Sequence, residues 1–172
     1  PDVLFLSHGF GSGSRLWDSQ MELSTKYRII RWDMRGHANS DSPEQDLFYS
    51  KQHQIDDMRA VLDACGVKAA VFVGHSMGAY DNLLFAFAGS EYAAYVKALV
   101  LFATGPGFQK DEARAAWNKQ AEKMANAFET KGLEALVGSD KSKGHRNWRG
   151  LAKSARLVNA QRPDDPYFQR QP

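Results

Sequence analysis

Apolar residues along the chain fall into two kinds of run. Val3–Leu6, Tyr27–Trp32, about Ala69–Val73 and Val96–Phe102 are short and rich in β-branched and aromatic residues, the pattern of buried strands. Between them the apolar residues are spaced. Leu16-Trp17 to Met21-Glu22 reads as a short helix. Ile55, Met58, Leu62 and Cys65 recur at helical period, and Gly66 is a natural stop. Tyr80, Leu83, Leu84 and Phe87 do the same up to Gly89. Strands alternating with helices predict an α/β fold, a parallel sheet with flanking helices. Beyond Gly107 strand patterns stop. Trp117, Ala121, Met124 and Phe128 predict one amphipathic helix bounded by Gly132, and Trp148, Leu151, Ala155 and Val158 a second. The tail, residues 163–172, is Pro-rich and polar and is expected to be poorly ordered.

Composition narrows the classes. At 172 residues the chain is long enough for one real core. A net charge of +2 is mild, and the Lys and Arg are scattered. Lys141, Lys143, Arg146 and Arg149 read as a solvated face, so no nucleic-acid partner is expected. No apolar run approaches the ~20 residues needed to span a bilayer, so no membrane role is expected. Cys65 is the single cysteine, which excludes an internal disulfide and suits a reducing, cytoplasmic setting. Its place on a helical stripe predicts buried filler.

The chemistry begins where the third strand runs into a helix through Gly74-His75-Ser76-Met77-Gly78. A strand–turn–helix that tight leaves no room for bulk two residues either side of the serine, and it lifts the Ser76 hydroxyl above the carboxyl edge of the sheet. There the helix N-terminus and the Met77 N–H face any oxyanion that forms. Acyl transfer needs a second donor from another loop, and the first strand empties into Ser7-His8-Gly9-Phe10-Gly11-Ser12-Gly13. The Phe10 N–H is assigned that part. A dinucleotide loop is the rival for these glycines, but the G-x-G-x-x-G spacing fails at Ser14, and Gly-Lys-Ser/Thr is absent from the sequence.

With His8-Gly9-Phe10-Gly11, Asp33-Met34-Arg35-Gly36-His37-Ala38-Asn39-Ser40 and Gly74-His75-Ser76-Met77-Gly78 in this order, the chain resembles the α/β-hydrolase family from Pro1 to about Phe108. Within it, the small esterase and enol-lactonase branch is the nearest likeness. Ala38 stands where the middle stretch usually carries its second glycine. Ser76 argues against the epoxide hydrolases and haloalkane dehalogenases, which use Asp at that point. The resemblance implies a strand order second, first, third, fourth, with Asp33 in a turn and Arg35 its partner. It also implies a core over residues 1–107 and a helical cap over 108–162, shaping the pocket. Phe108 and Trp148 are candidates to face that pocket, with His8, Gly9 and His75 on the substrate side below.

In this family a carboxylate and then a histidine follow the nucleophile, each after a later strand. Only His145 follows Ser76, with no strand before it and charged neighbours beside it. His37 and His53 lie in a loop and on a polar helix face. The exit of the fourth strand, Ala103 to Gly107, carries no carboxylate. The expectation is therefore a partial α/β-hydrolase fold that stops in or just after the cap, before its acid and base. The expected function is hydrolysis of a small carboxylic ester or lactone through an acyl-enzyme on Ser76, with no metal or organic cofactor. Two alternatives stay open. One is C–C bond hydrolysis or cofactor-free perhydrolysis by the same machinery. The other is a non-catalytic fold that binds a small ligand.

Overall fold

The computed structural model describes residues 1–105, 107–132 and 152–158. Four strands, β1 (Val3–Ser7), β2 (Arg28–Arg31), β3 (Ala70–His75) and β4 (Val96–Phe102), form one sheet in the order β2-β1-β3-β4. Every neighbouring pair is parallel. This is the expected sheet and the expected order. Parallel neighbours require crossovers, and helices supply two of them: α1 (Lys51–Ala64) before β3, and α2 (Met77–Phe87) with the single turn α3 (Ser90–Ala93) before β4.

Phe5 and Phe72 sit opposite each other in register and, with Trp32 and Phe85, make an aromatic row across the sheet into α2. Successive ring centroids are 5.8, 5.1 and 5.1 Å apart. Each such contact adds about 0.5–1.5 kcal/mol beyond area burial.

Three local readings need correction. The stretch read as a short helix is a run of 3-10 turns, Ser14–Thr25. Trp17 is its one buried residue, so no apolar stripe holds an α-helix there, and Ser14, Asp18, Ser19, Ser24 and Thr25 are weak helix formers. Cys65 lies just past the end of α1 and is half-buried, not core filler. In α2 the buried residues are Met77, Gly78, Ala79, Asp81, Asn82, Leu84 and Phe85, while Phe87 is 68% exposed. A helix packed on several sides at once hides its true face from periodicity.

The chain divides into two compact units, residues 1–34 with 51–106, and 35–50 with 107 onward. The first holds the sheet. In the second, α4 (Asp111–Lys131) buries Ala121, Ala125 and Phe128, and Trp117 is exposed. Arg156, in a π-helical turn over Ser154–Val158, forks onto Glu122 and Glu129 of α4 and donates to the Asn126 side chain. Lys153 pairs with Asp46 in the same unit, and Tyr49 is buried there. Trp148, Leu151, His145, the basic cluster around Lys141 and the tail from 163 lie outside the described residues. Among the described residues no helix is long and apolar enough to cross a membrane.

Candidate active site

Ser76 stands between β3 and α2 at φ 52°, ψ −116°. For a residue with a Cβ this is a sparsely populated conformation that persists only where the surroundings impose it. The Ser76 N–H donates to the Phe102 carbonyl at 2.8 Å, so β4 holds the chain on one side of the turn.

At the flanking glycines, neighbouring backbone crowds in on the others. A Cβ on Gly74 would stand 2.5 Å from Ala79 Cα, and one on Gly78 would stand 2.4 Å from the His8 carbonyl oxygen. Both positions are closed to any side chain by backbone, not by flexible tips. The Gly78 contact also fixes where the two loops meet: the first turn of α2 rests on the end of β1, where the glycine-rich loop begins. A second contact agrees, since a Cβ on Gly9 would lie 2.8 Å from His75 Nδ1. The His75 ring therefore packs against the loop, with its Nδ1 buried.

His8 is fully buried and works on backbone. Its Nδ1–H donates to the Gly9 carbonyl at 2.8 Å, and its Nε2 accepts the Met34 N–H at 3.0 Å. That pairing assigns the neutral tautomer. Burial lowers the imidazole pKa, with the Gly9 bond and the Asp33 charge opposing. Both ring nitrogens thus tie the start of the loop to the exit of β2. Gly11, at φ 71°, and a Ser12 N–H to Gly9 carbonyl bond of 3.2 Å complete the turn that carries Phe10.

Asp33 accepts the Ser14 N–H at 2.6 Å and so anchors the 3-10 run. Arg35 donates to the Phe48 carbonyl at 2.9 Å in the second unit. Ala38 keeps the left-handed backbone of the glycine it replaces, at φ 42°. Phe108 lies in the second unit, 41% exposed, its ring 5.5 Å from that of Trp117. Trp148 and His145 fall outside the described residues. The structure thus brings Ser76, Met77 and His75 together with His8, Gly9 and the Phe10 loop.

Two polar residues of α2 were not read from the sequence. Asn82 is fully buried beside Gly74. Asp81 is buried with neither carboxyl oxygen hydrogen-bonded among the described residues. Burial pushes its pKa up to about 7, against the opposing pull of Lys51. The signal for both was two polar residues inside an otherwise apolar helix, Met77–Phe87, where one face alone could not have held them outside.

A family model described as alpha/beta hydrolase fold matches residues 2–170. A putative 2-succinyl-6-hydroxy-2,4-cyclohexadiene-1-carboxylate synthase of Bacillus subtilis is 32% identical over 130 residues, which is 76% of this chain and 46% of that protein. A bifunctional esterase/perhydrolase of Acinetobacter calcoaceticus is 34% identical over 121 residues, 64% of this chain and 40% of that one. The chain thus spans less than half the length of these curated relatives. Among solved structures, MenH from S. aureus superposes with a TM-score of 0.78 at 22% identity, covering 94% of this chain and 68% of that one, a likeness of fold.

Proposed function

Since the chain belongs to the α/β-hydrolase fold family, we propose that it carries the nucleophile half of a serine hydrolase for small carboxylic esters or lactones. The observation that carries this reading is the backbone of Ser76, a non-glycine residue at φ 52°, ψ −116° between a strand and a helix. Strain of that kind gathers where a side chain must be presented rather than packed. The Ser76 hydroxyl attacks the substrate carbonyl. The N–H groups of Met77 and Phe10 receive the oxyanion, helped by the positive end of α2. Cleavage of the acyl C–O bond, which frees the alcohol of an ester and leaves that of a lactone tethered to the acyl group, gives an acyl-enzyme that water hydrolyses. This sequence of steps calls for no metal or organic cofactor.

His8 acts in this scheme by ordering the loop, and Gly9 by admitting the His75 ring behind it. In this reading residues 1–107 are assigned to the core and 108–162 to a cap. The general base and its carboxylate are assigned to sequence outside these 172 residues. His8 has both ring nitrogens on backbone and His75 packs on the loop, and the curated relatives are more than twice as long as their matched part. Perhydrolysis, with hydrogen peroxide in place of water at the acyl-enzyme, is a second reading, favoured by the relative named as an esterase/perhydrolase.

The test is p-nitrophenyl acetate and butyrate turnover by the purified chain and by any longer form of it, each against Ser76→Ala. Loss of the base from a triad leaves only what binding and the oxyanion donors supply. The 172-residue chain is therefore expected to show vestigial turnover, and a longer form robust, Ser76-dependent turnover. Robust hydrolysis by the short chain would place a base within it, with His145 the first to mutate. No phosphonylation of Ser76 in a longer chain would favour a ligand-binding protein.

A further inference from the structure

Gly74 and Gly78 free the backbone on both sides of Ser76, and freedom is the wrong property for a strained turn. Something must remove it. The Asn82 side chain lies fully buried on the second turn of α2, beside both glycines. With its amide turned so that the oxygen meets a donor and the nitrogen meets acceptors, it accepts the Gly74 N–H at 3.3 Å. In the same orientation it donates to the Gly78 carbonyl at 3.1 Å and to Ser7 Oγ at 3.0 Å. Ser7 is itself fully buried and accepts the Trp32 indole N–H at 3.2 Å. One amide therefore joins the residue two before the serine, the residue two after it and the end of β1. Through Ser7 it reaches the exit of β2.

We propose that Asn82 is a positioning residue for the nucleophile: its amide locks both elbow glycines and so holds Ser76 in its strained presentation. The inference rests on the reading of Ser76 as nucleophile for its catalytic consequence, but not for the lock itself. An amide suits the task because it offers a donor and an acceptor from one planar group, and Gly78 C=O and Gly74 N–H need one of each. A leucine or alanine at position 82 would fill space and leave both glycines to the backbone alone.

The test compares Asn82→Ala with Leu84→Ala, a buried truncation on the same helix that touches neither glycine's lock. Hydrogen exchange of the Gly74 amide should speed by about tenfold in Asn82→Ala, the loss of one ordinary hydrogen bond. The NMR coupling that reports φ at Ser76 should move away from its positive-φ value. Residual Ser76-dependent turnover of p-nitrophenyl acetate should fall about tenfold in kcat with KM within twofold, the mark of a group that acts on the transition state alone. Leu84→Ala should lower Tm and leave all three readouts unchanged. If Asn82→Ala does not fold, Asn82→Ser carries the same measurements. Unchanged Gly74 exchange and Ser76 coupling in the folded variant would overturn the proposal. If wild-type turnover proves independent of Ser76, the hydrolase reading fails, and the exchange and coupling data still decide the lock.

Discussion

Between pH 4 and pH 7 the folded chain should lose stability as pH rises, through one carboxyl group. Asp81 is buried on α2, and burial raises its pKa from the ordinary 3.8 to about 7, with Lys51 opposing. Below pH 3.8 both folded and unfolded chains hold the proton. Between the two values only the folded chain holds it, so unfolding releases a proton and stability falls with rising pH. Above about 7 both states are ionised and the loss is complete. Three pH units at 1.36 kcal/mol each make the change about 4 kcal/mol, a large share of a domain's stability. Asp81→Asn keeps the shape and removes the titration. The assay is urea unfolding of wild type and Asp81→Asn at pH 4.5, 6.0 and 7.5, read as the difference in unfolding free energy. Taking the difference cancels His8, whose lowered pKa works in the opposite sense, its stability being present above 6.5 and lost in acid. The variant should match wild type near pH 4 and exceed it by about 3–4 kcal/mol at pH 7.5. A difference that does not grow with pH would refute the reasoning.

Lys51→Met removes the charge that steadies ionised Asp81 among the described residues, so the pH window should extend upward in the same unfolding series. Ser76→Gly should stabilise the chain by about 1 kcal/mol, seen as a rise in Tm of roughly 2–4 °C, and abolish any Ser76-dependent turnover. Ala38→Gly should stabilise by about 0.5–1 kcal/mol in urea unfolding, because φ 42° is strained for alanine and not for glycine. β4 closes one side of the sheet order with Val100 39% and Phe102 50% exposed. Concentration-dependent association in sedimentation velocity should therefore fall in Phe102→Lys.

The strands were legible because each is a short apolar run that the sheet buries, and the elbow because its glycines are required by space. Gly74 and Gly78 each face backbone within 2.6 Å of where a Cβ would be, so no other residue fits and the motif survives in the sequence. Ser14–Thr25 departs from the α-helix its sequence suggests because a single buried tryptophan gives no period to follow. The inner face of α2 departs from the expected stripe for the opposite reason. It packs against β3, β4, β1, α1 and α3, and a helix enclosed by so many neighbours has no polar side to betray its orientation. The Asn82 lock leaves no mark in the sequence because its partners at the two glycines are backbone groups, which no letter records.

Asp81 and Asn82 are adjacent, both buried and both polar, yet they face opposite physical outcomes. Asn82 meets three partners through an amide that carries no charge, so its burial costs little and its bonds stiffen the turn. Asp81 has no hydrogen-bond partner for either oxygen among the described residues, and Lys51 answers its charge only in part. An unpartnered buried carboxyl is held neutral by its surroundings until the pH forces it to ionise. Successive residues of a helix point about 100° apart, so Asn82 can face the strands while Asp81 faces α1, where Lys51 stands. The stiffness that presents Ser76 and the weakness that should grow between pH 4 and pH 7 therefore lie one residue apart on the same helix. Measuring both in one set of variants separates them: exchange at Gly74 should follow Asn82 and ignore pH-driven changes at Asp81, while the pH slope of stability should follow Asp81 and ignore Asn82.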